Sequence, residues 1–254
     1  MTKTSHPKAV FKKVLQALTL WITLTAVTAI WINKESSAQA APPHVVTTEV
    51  IIDAGHGGVD GGTSYGNLLE KDINLQLAQK LYEQLHKRRL PAVLNRTGDY
   101  ALSDHNQWLR TRSRHRKDLA QRKELSHVIS SRILVSLHVN WGGRGATGPI
   151  VLYQRNMESF LLAQQLQTKL NRVYGTLYRP KAARQYYLLN QSAVPAVIVE
   201  TGFMSHPRDR ELLTSRKGQS RIVKALENGV LSYLYLHGNG EVNHGEKHKN
   251  PLPK

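Results

Sequence analysis

The 254 residues, 40% hydrophobic and 21% charged, exclude a disordered polymer and suit one globular domain with short tails. The absence of cysteine excludes a disulfide framework and leaves only His, Asp and Glu as strong metal ligands. The formal charge of +17 calls for an anionic partner; about +4 of it falls on residues 1–40 and about +1 on residues 238–254, which leaves roughly +12 for the rest.

At the N-terminus, Lys3, Lys8, Lys12 and Lys13 precede Val14 to Ile32, an uncharged stretch whose only polar residues are Gln16 and four Thr. It is long enough to cross roughly 30 Å of hydrocarbon as a helix. Downstream, Ala38-Gln39-Ala40 has the small-residue pattern of a cleavage site. Residues 1–40 therefore read as a signal peptide or a membrane anchor, and the basic flank places everything beyond outside the cytoplasm. For an exported chain, the anionic bacterial wall is a better match to the basic domain than nucleic acid.

Ala41-Pro42-Pro43-His44 reads as a linker, and the domain spans 45–237, starting with a β-branched strand over Val45 to Asp53. Ile73, Leu77, Leu81 and Leu85 give Leu69 to Arg88 the spacing of an amphipathic helix, and Leu90 to Leu94 returns as a strand. Trp108, Arg110, Arg112, Arg114, His115, Arg116 and Lys117 then crowd a charged segment, read as a solvated surface. Helices are expected over Asp118 to Ser130, Met157 to Tyr174 and Gly218 to Leu236, and strands over Ile133 to Val139, Ile150 to Gln154 and Ala196 to Glu200. The alternation predicts a single α/β domain with a central, mostly parallel β-sheet flanked by helices on both faces. Residues 238–254 read as a polar C-terminal tail.

In such folds ligand sites gather at the carboxyl ends of the strands. His56 follows the first strand in Asp53-Ala54-Gly55-His56-Gly57-Gly58, where glycines allow a tight turn. Glu70 opens the next helix, a place where a carboxylate is also favoured by the helix dipole. His138 ends the strand Leu134-Val135-Ser136-Leu137-His138, and Glu200 ends Val197-Ile198-Val199-Glu200. Two histidines and a glutamate from separate elements make the three-ligand set of a hydrolytic zinc site, with one position left for water. Glu200 is then left over for general acid–base work on an amide. His105, His115, His127, His206 and His237 lie among polar residues and read as surface groups.

These four segments, in this order, resemble the catalytic motifs of the N-acetylmuramoyl-L-alanine amidases that carry a zinc-containing α/β domain, and the likeness covers about residues 47 to 236. The resemblance implies one Zn²⁺ held by His56, Glu70 and His138, with Glu200 as the catalytic residue. It further implies hydrolysis of the bond between N-acetylmuramic acid and L-alanine of peptidoglycan. Asn140, Arg184 and Tyr186 are implied substrate contacts, and Arg122 matches a recurrent helix arginine with no role beyond an ion pair. The segment before Asp118, the stretch Arg179 to Arg184 and Tyr186-Tyr187-Leu188-Leu189 look most like the membrane-directed, sporulation-associated amidases that prepare spore cortex for germination.

The partners so implied are peptidoglycan, a membrane met through the N-terminal segment, and a regulatory protein; nucleic acid is not expected. Wall-binding repeats and the long inserted helix with which some relatives block their own site are not seen, so targeting is expected to rest on the N-terminal segment and the basic surface. Two alternatives stay open beside the amidase: a catalytically silent wall-binding module, which predicts a damaged site, and a zinc peptidase acting within the stem peptide.

Overall fold

A computed structural model of the protein describes residues 47–237. The expectations for residues 1–40 and 238–254 lie outside the described residues. Among the described residues no helix is long and apolar enough to cross a membrane.

The first strand, β1 (Val50–Ala54), is buried along its whole length. Val50, Ile52 and Ala54 join one apolar cluster and Ile51 the other, because successive side chains of a strand point to opposite faces. A small hairpin, β2 (Ser64–Tyr65) and β3 (Leu68–Leu69), leads into α1 (Glu70–Lys87), which buries Ile73, Leu77, Leu81 and Leu85 as its spacing requires. After β4 (Ala92–Leu94) and a short 3₁₀ turn at Leu102–His105 comes α2 (Arg114–Val128). This helix begins ahead of Asp118, where its start was expected. Ser113 caps it by accepting the N–H of Arg116 at 3.2 Å, and the basic run forms its exposed first turn.

The chain continues through β5 (Ile133–Asn140), β6 (Ile150–Tyr153) and α3 (Met157–Tyr174). Asn156 caps the start of α3, and Gly175 ends it in the left-handed conformation at φ 70°. Then follow β7 (Lys181–Ala182), α4 (Tyr187–Gln191), β8 (Ala196–Phe203), α5 (Pro207–Thr214) and α6 (Arg216–His237). The sheet has the order β4-β1-β5-β8-β6-β7. The first four run parallel, and β6 reverses direction beside β8. One face packs against α1, α3 and α6; on the other, Leu188 and Leu189 of α4 meet Ile51, Leu134 and Ile198.

Asp53 sits near the end of β1, 1% exposed, and receives Arg122 Nη1 of α2 at 2.7 Å. Burial works against its charge, yet the Arg122 guanidinium and the Ser136 hydroxyl hold its carboxyl below the usual carboxylate range. Arg122 is completed by Asp118, Nε to Oδ2 at 2.5 Å. Because the folded-state pKa of Asp53 lies below the unfolded value near 3.8, its contribution is complete above that value and is lost as pH falls through the lower one. Removing one member of a buried pair costs about 3–5 kcal/mol. Asp53→Asn should therefore lower the urea midpoint at neutral pH, and its deficit against wild type should shrink below about pH 4; a deficit constant down to pH 2 would sink this account.

Candidate metal centre

Since β1, β5 and β8 are adjacent and parallel, their carboxyl ends lie side by side on one edge of the sheet. His138 and Glu200 are direct register partners on β5 and β8, so both side chains leave the sheet on the same face. His56 lies two residues beyond β1, in the left-handed region at φ 59°. Glu70 arrives from the hairpin at the start of α1.

The side chains of His56, Glu70 and His138 converge: their ligand atoms all lie within 4.8 Å of one another. Glu70 Oε1 is 3.2 Å from His56 Nε2 and 3.0 Å from His138 Nδ1. The imidazoles meet edge to face, with ring centres 5.0 Å apart. The helix dipole favours a carboxylate at the start of α1, but the Glu70 side chain is turned to the two imidazoles. Its carboxylate is 4% exposed and also accepts the backbone N–H of Thr63 at 2.8 Å and of Val139 at 3.0 Å. Asp60 Oδ2 lies 2.8 Å from His56 Nδ1, which turns Nε2 toward the cluster.

Burial opposes charge on His56, but the carboxylates of Glu70 and Asp60 push its pKa up to about 9. Burial would also raise Glu70, and the two imidazoles overcome this and hold it well below the usual range. Two nitrogens facing one buried carboxylate oxygen form a set that either protons or a cation must neutralise, and its N and O donors fit a divalent metal such as zinc.

A cavity of about 360 Å³ opens over this cluster. Glu200, Tyr186 and Tyr187 line it together with His56 and His138, as do His115 and Arg122 of α2. Burial pushes the Glu200 carboxyl up, against the pull of His138. Of the substrate contacts expected from sequence, Tyr186 lines the cavity, while Asn140 and Arg184 do not. Asn140 Oδ1 accepts the N–H of Trp141 at 2.8 Å, and Arg184 is exposed. His115 is exposed, as expected, but also reaches the cavity; hidden in a basic run, it carried no periodic signal.

Fold and site define a hydrolytic α/β domain with a His-Glu-His donor set beside the half-buried carboxylate of Glu200. Residues 50–232 match the family described as N-acetylmuramoyl-L-alanine amidase, and the chain belongs to that family. It is 29% identical to the germination-specific N-acetylmuramoyl-L-alanine amidase of Bacillus subtilis, over 73% of this chain and 79% of that one. Its fold is similar to the CwlD amidase from Clostridioides difficile, solved in complex with the GerS lipoprotein. That likeness has a TM-score of 0.68 and 31% identity, covering 74% of this chain and 99% of that one. An N-acetylmuramoyl-L-alanine amidase from Clostridium difficile 630 is similar at TM-score 0.64 and 32% identity, covering 76% and 99%.

Gly55 leaves room for His138: a Cβ there would lie 2.4 Å from the imidazole Cε1 and Nε2. Gly55→Ala should displace that ring and reduce amidase turnover about 100-fold, with near-wild-type circular dichroism. Wild-type turnover in a folded Gly55→Ala enzyme would show that His138 need not occupy this position.

Proposed function

We propose that this amidase is zinc-dependent, that His56, Glu70 and His138 hold the ion, and that Glu200 is its general base. The convergence of the three donors within 4.8 Å, with Glu200 on the same cavity, carries this reading. Zn²⁺, when bound, polarises the scissile carbonyl and makes water a better nucleophile at neutral pH. Glu200 takes one proton from the attacking water onto a carboxylate oxygen. It returns that proton to the amide nitrogen as the bond to the muramic lactyl carbonyl breaks, and the second proton of the water passes from the new carboxyl group to the freed amine, so the products are a carboxylate on the sugar strand and an L-Ala ammonium. A base poised by burial above its ordinary pKa suits both transfers. Asp60 fixes the tautomer of His56, and Tyr186 contacts substrate from the cavity lining. Asn140 and Arg184 stand as substrate contacts on the resemblance alone.

The chain acts outside the cytoplasm, where peptidoglycan lies. The germination-specific relative supports a role on spore cortex, and the relative solved with a lipoprotein supports a regulatory protein partner. Residues 1–40 as signal or anchor, 45–237 as the catalytic domain and 238–254 as a tail complete the reading.

Glu200→Gln should bind zinc like wild type yet lose about 10²–10⁴-fold in turnover, whereas His138→Ala should lose both. Mass spectrometry of digested peptidoglycan reads the bond: free stem peptides beginning with L-Ala mark the amidase, and an active Glu200→Gln enzyme would overturn the role of the base. Because a proton held on His56 with a pKa of about 9 must leave when metal enters, zinc affinity should weaken as pH falls from 8 to 6, roughly tenfold per unit. Calorimetry in buffers of different protonation enthalpy should register proton release; affinity independent of pH would count against this donor set.

A further inference from the structure

His56 is one of two non-glycine residues at positive φ among the described residues. Outside glycine that conformation costs about 1–2 kcal/mol and persists only where its surroundings impose it. The carbonyls of the three consecutive residues leading to this backbone all point down into two buried guanidiniums. Arg122 donates from Nη2 to the carbonyl of His56 at 2.7 Å and from Nη1 to that of Ala54 at 2.8 Å. Arg96 donates from Nε to Ala54 O at 3.1 Å and from Nη2 to Gly55 O at 3.1 Å. Its Nη2 also reaches the carbonyl of Lys71 at 2.7 Å, the residue after Glu70. Arg96 is 1% exposed and Arg122 3% exposed.

From this geometry we propose that Arg96 and Arg122 are positioning residues for the metal site: they clamp the peptide run Ala54-Gly55-His56, and Arg96 ties it to the helix end that bears Glu70. The inference rests on the metal-site reading above. An ion pair alone does not account for it. Asp53 and Asp118 satisfy the charge of Arg122 through Nη1 and Nε, whereas Nη2 serves the His56 carbonyl. Among the hydrogen bonds of Arg96, every partner is a backbone carbonyl. Lysine keeps the charge but lacks the planar fork that spans two carbonyls at once. The arginines thus act on the ligand through its backbone, as outer partners of metal ligands commonly act through the side chain.

The test measures zinc affinity by chelator competition, with thermal unfolding, kcat and KM, on Arg96→Lys and Arg122→Lys, so that one decides if the other does not fold. Glu227→Gln is the control for stability alone, since Glu227 on α6 is 1% exposed and paired with Lys224 of the same helix and with Arg88 at the end of α1, away from the cavity. The lysine variants should bind zinc about 10–100-fold more weakly and turn over more slowly at nearly unchanged KM. Glu227→Gln should melt earlier yet bind zinc like wild type. Lysine variants that bind zinc within twofold of wild type would overturn the proposal alone, as would a Glu227→Gln affinity loss matching its loss of stability. A wild-type protein that takes up no zinc would overturn the metal-site reading and the proposal with it.

Discussion

Near the end of β1 Asp53 holds a negative charge where water does not reach, and the domain is arranged around answering it. Arg122 crosses from α2 to meet it, Ser136 donates from the neighbouring strand, and Asn95 Nδ2 donates from beyond β4. A buried ion pair of this kind adds little net stability over a well-packed apolar core, because desolvation offsets most of the attraction. Its effect here is on arrangement. It fixes α2 against the sheet edge, and the remaining donors of the same guanidinium then fall on the backbone that carries His56.

From that anchored edge the site follows by topology. Three parallel neighbours end together, so groups far apart in the chain are brought within bonding range without any long-range loop being rigid on its own account. The first residue of α1, just after the short hairpin, supplies the remaining donor. The Glu70 carboxylate accepts backbone N–H groups from Thr63 on its own approach loop and from Val139 on β5, which locks the start of α1 to the strand that bears His138.

Much of this is legible in the sequence. β1, β5 and β8 appear as apolar β-branched runs, and α1 as a four-residue repeat of Ile and Leu. Helix α3 has the expected bounds, Met157 to Tyr174, with Asn156 and Gly175 at its ends. The illegible parts had physical reasons. Two-residue strands such as β2, β3 and β7 are too short to show a period. The first turn of α2 is basic and exposed, so nothing apolar marks it. Helix α5 was missed although Pro207 at its start was a usable signal. Arg96 borders a charged surface stretch, and only the fold reveals that its guanidinium turns inward to four carbonyls. The donor set was readable because metal ligands must be a few residue types; cavity walls such as His115 and Tyr187 obey no such restriction.

The sheet closes on both sides with very short strands, three residues in β4 and two in β7, the latter opening on an exposed lysine. Such edges offer few free backbone groups to an incoming chain, which suppresses strand-to-strand stacking between molecules. A protein that docks on this domain is therefore steered away from β-augmentation and toward helix faces and loops. Crowding many copies onto one polymer surface then carries little risk of fibre growth, and recognition is left to side chains.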